Sequence, residues 1–279
     1  MTELAAKFEA LKDQIRGTDG LAVAFSGGVD STFLAAVTAD VLGARALAVT
    51  ALSPLYSQHE QKEASELAER IGIKHETVDS NELDVPGFAE NPPDRCYKCK
   101  SELFTVVAAV ASKYGIDKVA DGTNASDRGD YRPGRKAARE LGVLSPLAEA
   151  GMTKEDIREL SRGMELPTAE KPAFACLASR FPYGTTITEE KLKSVEIVED
   201  ALRDNGISQF RVRHHDDIAR IEVVEDDLVT LCTEPLRSLL LERAQEAGYL
   251  YVTVDLKGYR TGSMNEALTA SQKAAAEEE

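Results

Sequence analysis

Apolar and polar positions alternate along this chain in two different periods. Residues 3–16 repeat apolar positions at helical spacing, with charges between them. Then LAVAF (21–25) is a short unbroken apolar run, which reads as a strand, and an apolar helical stretch runs from about 31 to 42. ARALAVT (44–50) reads as a second strand and QHEQKEASELAERIG (58–72) as an amphipathic helix with a glycine stop. KHETVD (74–79) is a third, more polar strand, and residues 95–114 form a long helix after a proline-rich loop. KVADGTN (118–124) reads as a fourth strand ending in turn residues, followed by a helix over 132–142. Alternation of strand and helix predicts a parallel sheet with helices on both faces.

The pattern changes near residue 165. PTAEKPAFACLASRFPYGTTIT carries three prolines and little periodicity, and reads as a functional loop. Beyond it come a helix (188–205), strands (208–214 and 217–224), a helix (about 233–247) and a strand (249–255). The predicted organisation is an α/β, Rossmann-like domain over 1–165 and a linker over 166–187. A smaller α+β domain follows over 188–268, for substrate binding or oligomer contacts, then a frayed tail over 269–279.

Charge narrows the function. Against 33 Lys and Arg stand 48 Asp and Glu, a net charge of −15. A chain this acidic repels polyanions, so no nucleic-acid partner is expected. No run of 18 apolar residues occurs, and the charged N-terminal helix is unlike a signal peptide. A cytoplasmic, reducing location follows, where four cysteines point to metal, catalysis or burial before disulfides.

SGGVDS sits between a predicted strand and a predicted helix. Gly27 and Gly28 let the backbone approach an anion, and the free N–H groups of the helix start can bind phosphate. Ser26, Ser31 and Thr32 add hydroxyls. This is neither a Walker A loop nor a G-x-G-x-x-G turn. Asp30 would repel phosphate unless a cation lay between them, so Mg²⁺ is expected there. Gly122, Thr123 and Asn124 end the fourth strand, where open α/β sheets bind ligands, and should lie beside this loop.

Cys96 and Cys99 fall three apart in DRCYKCK at the start of the long helix. The helix N-terminus and Arg95, Lys98 and Lys100 favour thiolates. Cys176, in the 166–187 loop between Lys171 and Arg180, is a candidate nucleophile. Three cysteines could hold a 4Fe–4S cluster with one iron open. Cys232, among apolar neighbours, reads as buried, and His214 and His215 as part of a polar hairpin turn. Arg211 and Arg213 share a strand face near Glu222 and suit a substrate phosphate, as does Arg260.

SGGVDS resembles the signature of the PP-loop ATP pyrophosphatases, which use ATP to adenylate a substrate. The stretches NPPDRCYKCK, GTNASDRGDYRPGRKAARELGVLSPL, KPAFACLASRFPYGTTIT and GYRTGSMNEAL together are similar to the LarE family of sulfur transferases. The resemblance runs from about residue 15 to 268. It implies ATP and Mg²⁺ use, a small nucleotide-like dicarboxylate substrate, and a role in building the nickel-pincer nucleotide of lactate racemase. Asp30 and Cys176 would be catalytic. Ser26, Gly27, Gly28, Asp30, Ser31, Thr32, Gly122 and Thr123 would hold ATP. Arg180, Arg211, Arg213, Glu222 and Arg260 would hold the substrate. Sulfur would come from Cys176, which becomes dehydroalanine, or from a 4Fe–4S cluster on Cys96, Cys99 and Cys176. The resemblance also implies a homo-oligomer and other nickel-pincer biosynthesis proteins as partners. Three alternatives remain open: a tRNA-thiolating PP-loop enzyme, an ammonia-using synthetase of the NAD synthetase type, and a nucleotide-binding regulatory module.

Overall fold

The computed structural model describes residues 2–129, 133–172 and 175–269. The chain divides into two compact units, Met1–Glu82 with Cys96–Phe174, and Leu83–Arg95 with Ala175–Glu279. The stretch 83–95 therefore groups with the second unit, although it lies within the span that reads as the first domain. The tail from residue 270 onward lies outside the described residues.

In the first unit, α1 (Glu3–Arg16) precedes β1 (Leu21–Ala24), α2 (Val29–Leu42), β2 (Ala46–Leu52), α3 (Gln58–Ile71) and β3 (Lys74–Asp79). Then come α4 (Arg95–Ser112), β4 (Val119–Ala120), α5 (Gly134–Glu140), α6 (Pro146–Glu149) and α7 (Lys154–Gly163). Local chemistry sets the ends. The Ser57 hydroxyl accepts the Glu60 N–H to start α3, and Gly72, with φ of 76°, closes it in the left-handed region. Thr153 and Asp156 form a reciprocal capping box that starts α7.

The sheet order is β3-β2-β1-β4, and every pairing is parallel. Both faces of β1 and β2 are buried. Leu21, Val23, Ala46 and Ala48 face a cluster with Leu11, Ile15, Phe33, Val37 and Leu67. Ala22, Leu47, Val49 and Ala51 face the opposite cluster, with Phe104, Val107, Ala111 and Ala138. That is why β1 and β2 read as unbroken apolar runs. Each fully buried large apolar side chain contributes about 1.5–3 kcal/mol. Chain order runs outward from β1 through β2 to β3, then returns to β4 on the other side of β1. The strand order thus reverses between β1 and β4, and that switch point is where open α/β sheets bind ligands.

Two features depart from the pattern reading. The fourth strand keeps only Val119 and Ala120, because Asp121 accepts the Thr123 N–H at 3.1 Å and begins a turn. Residues 146–149 and 154–163, which the pattern reading leaves unassigned, form α6 and α7.

The second unit contains α8 (Glu189–Asp204), β5 (Phe210–His215), β6 (Ile218–Val223), α9 (Leu228–Leu231), α10 (Leu236–Glu246) and β7 (Tyr251–Val254). β5 and β6 form an antiparallel hairpin, and β7 joins β6 in parallel after α10. Leu192, Val195, Val198 and Leu202 are buried on α8, as are Phe210 and Val212 on β5, against which α8 packs. Residues 83–95 are built into this unit. Phe88 is buried, Ala89 O accepts the Ile187 N–H at 2.8 Å, and Asn91 O accepts the Gly184 N–H at 3.0 Å.

Two expectations are corrected here. His214 is buried, not in a turn: its Nδ1 lies 3.0 Å from the Tyr249 hydroxyl and its ring 5.0 Å from that of Phe181. The turn falls later, at Asp216, whose φ is 52°. Cys232 is exposed, because it follows the short α9, where Val229 also faces solvent. Among the described residues no helix is long and apolar enough to cross a membrane.

Candidate active site

The first unit builds a loop for an anion. Phe25 makes the last sheet hydrogen bond of this edge, its N–H to Val49 O at 2.8 Å, and the chain then leaves the sheet. Gly27 turns with φ of 67°, and a Cβ there would lie 3.1 Å from Ala64 Cα. Glycine is therefore required both by the conformation and by the space. Gly28 is the N-cap of α2 and brings no side chain to its first-turn N–H groups, which keeps them available to a ligand. Ser26 and Ser31 tie the loop together. Their hydroxyls are 3.1 Å apart, the Ser26 N–H donates to Ser31 Oγ at 3.3 Å, and Ser31 Oγ donates to Gly28 O at 3.2 Å.

Two cations reach this loop from distant positions. Lys154 Nζ pairs with Asp30 Oδ2 at 2.7 Å. Lys171 Nζ donates to Gly27 O at 3.0 Å and pairs with Glu63 at 2.7 Å. Arg158 fixes the backbone around Lys171 by donating to Ala169 O and, at 2.9 Å, to Lys171 O. The sequence reading misses both lysines as site residues. The Thr-Lys-Glu-Asp capping box was the one local sign that Lys154 opens a helix.

The turn after β4 lies against the same loop, as the switch-point argument expects. A Cβ on Gly122 would fall 3.0 Å from Ser31 N and 3.2 Å from Asp30 Cβ. Asp121 orders the turn, accepting the Thr123 hydroxyl at 2.7 Å and the Ser145 hydroxyl at 2.8 Å. Thr32 is the exception among the expected hydroxyls: its side chain is fully buried and its Oγ1 has no hydrogen-bond partner. Replacing Gly122 with alanine presses a methyl against the Asp30–Ser31 backbone, which must shift by a few tenths of an ångström. We expect ATP affinity to fall about tenfold, the equivalent of a modest overpacking penalty. Calorimetric titration with a non-hydrolysable ATP analogue reads this directly.

The cysteines divide between the units. Cys96, half-buried, and Cys99, buried, lie in the first turns of α4. Cys176, half-buried, lies in the second unit as the N-cap of a 3₁₀ turn over Leu177–Arg180. Among the described residues no group of three His, Cys, Asp or Glu side chains is placed to hold a metal ion.

Within the second unit, Arg180 controls the backbone at Cys176. Its guanidinium is 1% exposed and bidentate on Glu199, which is 2% exposed, at 2.8 and 2.9 Å. Its third nitrogen donates to Ala175 O at 2.6 Å and Cys176 O at 3.2 Å. Glu199 also accepts the Val212 N–H at 3.0 Å. Burial pushes the Glu199 carboxyl up, but the Arg180 charge and these hydrogen bonds outweigh it, and the pKa ends below the usual range.

Arg211 and Arg213 are buried too. Arg213 donates to Glu222 at 2.7 Å, Ser263 Oγ at 2.8 Å and Ser179 O at 2.9 Å. Glu222 faces Arg211 across the hairpin register, and the Tyr259 ring lies 5.1 Å from the Arg211 guanidinium. Burial, then repulsion from Arg180, pull Arg211 down to about 10, which leaves it charged at neutral pH. Arg260 is more open and pairs with Glu266 at 3.1 Å. Arg180, Arg213 and Arg260, which read as suited to the substrate, each pair with a carboxylate of the protein itself.

A sequence model of the NAD synthase family matches residues 4–90. The chain is also 38% identical to the pyridinium-3,5-bisthiocarboxylic acid mononucleotide synthase of Lactiplantibacillus plantarum, over 98% of this chain and 99% of that protein. The chain belongs to this synthase family, LarE. As a LarE enzyme it is an ATP-using sulfurtransferase on a PP-loop fold. An uncharacterized Synechocystis protein is 44% identical over 95% of the chain. A tRNA-specific 2-thiouridylase of Picosynechococcus is 27% identical over only 54% of it. The likeness to LarE spans both units, whereas the thiouridylase match covers about half the chain.

Proposed function

We propose that this enzyme adenylates a carboxylate of pyridinium-3,5-biscarboxylic acid mononucleotide and converts it to a thiocarboxylate for the nickel-pincer nucleotide. One observation carries the reading: two loops that flank the switch point meet at Gly122 and Ser31, in a chain that aligns end to end with a synthase of the bisthiocarboxylic product. ATP phosphates would lie on the N–H groups at the start of α2, with Lys154 and Lys171 adding positive charge. The carboxylate at Asp30 suits a hard divalent cation, so Asp30 would hold Mg²⁺, which would offset the charge of departing pyrophosphate.

The chemistry balances in three steps. A substrate carboxylate oxygen bonds to the α-phosphorus and pyrophosphate leaves. The Cys176 thiolate then bonds to the acyl carbon and AMP leaves. Finally Cys176 loses its α-proton, its carbon–sulfur bond breaks, and sulfur stays on the substrate while the protein keeps dehydroalanine. Arg180, holding the carbonyls of Ala175 and Cys176, fixes the backbone from which this thiolate reacts. In the alternative route Cys96, Cys99 and Cys176 would hold a 4Fe–4S cluster that would supply an extra sulfide to replace AMP on the acyl carbon. The first two already share one helix start.

Intact mass after one round with ATP, Mg²⁺ and the dicarboxylate substrate separates the routes. A loss of about 34 Da localised to Cys176 is the expected sacrificial outcome. Unchanged mass with thiolated product, bound iron and sulfide establishes the cluster route. No pyrophosphate release overturns the reading.

A further inference from the structure

We propose that Thr50 and His75 are positioning residues for the phosphate loop, acting through the peptide that joins Phe25 to Ser26. That peptide is the hinge between β1 and the loop, and its two polar ends are gripped from opposite sides. Its carbonyl, Phe25 O, accepts the buried Thr50 hydroxyl at 2.8 Å. Its N–H donates to Ser31 Oγ on α2 at 3.3 Å. The β1–β2 ladder ends at Ala24 and Val49, so Phe25 O lies just beyond the last ladder pair. A buried carbonyl there needs another donor, and a side chain from β2 supplies it.

His75, on β3, completes the grip. Thr50 has one hydroxyl proton, and Phe25 O takes it. Toward His75 Nε2, 2.9 Å away, the Thr50 oxygen must therefore accept. This assigns the imidazole proton to Nε2. Burial lowers the His75 pKa, so the ring is neutral at neutral pH. The same ring meets the Phe25 ring edge-on, with centroids 5.9 Å apart and planes at 82°. The Phe25 N–H is already held by Val49. Ser26 therefore starts from a fixed peptide plane, and the orientation of the anion loop is set by three adjacent strands. Loop N–H groups that must converge on one phosphate benefit from such a fixed origin.

The inference rests on the ATP reading above, and its test keeps the two apart. The wild type, T50V, T50S, H75F and H75Q are titrated with α,β-methylene ATP by calorimetry. Amide exchange at Ser26 and Gly28 is followed without nucleotide, and thermal unfolding is recorded for each. T50V and H75F should bind about tenfold more weakly, the equivalent of one buried hydrogen bond. Their Ser26 and Gly28 amides should exchange faster. T50S restores the hydroxyl and H75Q restores an N–H donor, so both should recover most of the affinity. Unaltered binding and exchange in T50V and H75F overturn the inference. So does a loss of affinity that merely follows unfolding temperature, with no recovery in H75Q. If the wild type itself does not bind the analogue, the ATP reading falls. The amide exchange then still decides whether Thr50 and His75 order the loop.

Discussion

Replacing Cys176 with alanine should leave adenylation running while thiolated product falls by at least about 10³-fold, the scale on which removing a covalent nucleophile acts. The groups proposed to hold ATP all belong to the first unit, whereas Cys176 belongs to the second. ATP–pyrophosphate exchange in the presence of the dicarboxylate should therefore persist in the variant. Mass spectrometry of the small-molecule product reads the second step. Serine at Cys96 or Cys99 divides the routes further. Product unaffected by those changes assigns the sulfur to Cys176 alone, and product lost in all three variants assigns it to a cluster. Product that survives in C176A excludes this cysteine as nucleophile and as sulfur donor.

The buried pair Arg180–Glu199 should have the largest effect on stability. Removing either partner leaves a charge with almost no solvent contact, and alanine at either position is expected to cost about 3–5 kcal/mol. Urea unfolding measures it. Replacing both together with leucine and methionine should cost much less than the sum of the single changes, because no unpaired charge then remains. This also separates two roles for Arg180. A guanidinium reserved for substrate would, on removal, weaken substrate binding and leave the unfolding midpoint in place. One that anchors the Cys176 backbone to α8 lowers the midpoint and impairs thioester formation together.

Much of the first unit was legible because its physics is local or periodic. LAVAF and ALAVT are apolar without alternation, as strands covered on both faces must be. Ser57 and Gly72 mark the ends of α3 within a residue. The anion loop was readable because glycines, hydroxyls and a strand–helix junction coincide in six residues. What stayed hidden depends on partners far along the chain. Lys154 and Lys171 look like ordinary surface lysines, since Asp30 lies 124 positions from the first and Glu63 108 from the second. α7 packs by Ile157 and by a Lys7–Asp156 ion pair, and its charged sequence conceals both. Arg180 and Arg213 present the same difficulty. A strand pattern shows which face an arginine takes, but not whether a carboxylate on the next element has already claimed it. Cys232 failed for the opposite reason: apolar neighbours do not bury a cysteine when nothing covers their face.

The second unit is assembled from two stretches separated in the chain, and this has a consequence for synthesis. Residues 83–95 are followed by 79 residues of the first unit before Ala175 begins the remainder. At about 5–20 residues per second, that stretch leaves the ribosome roughly 4–16 seconds before its partners exist. During that interval the Phe88 ring has no core to enter, and the carbonyls of Ala89 and Asn91 have only water to bond. A nascent chain truncated anywhere before residue 184 therefore carries an unfinished second unit. A fragment expressed from Ala175 onward would lack the same thirteen-residue piece from the other side.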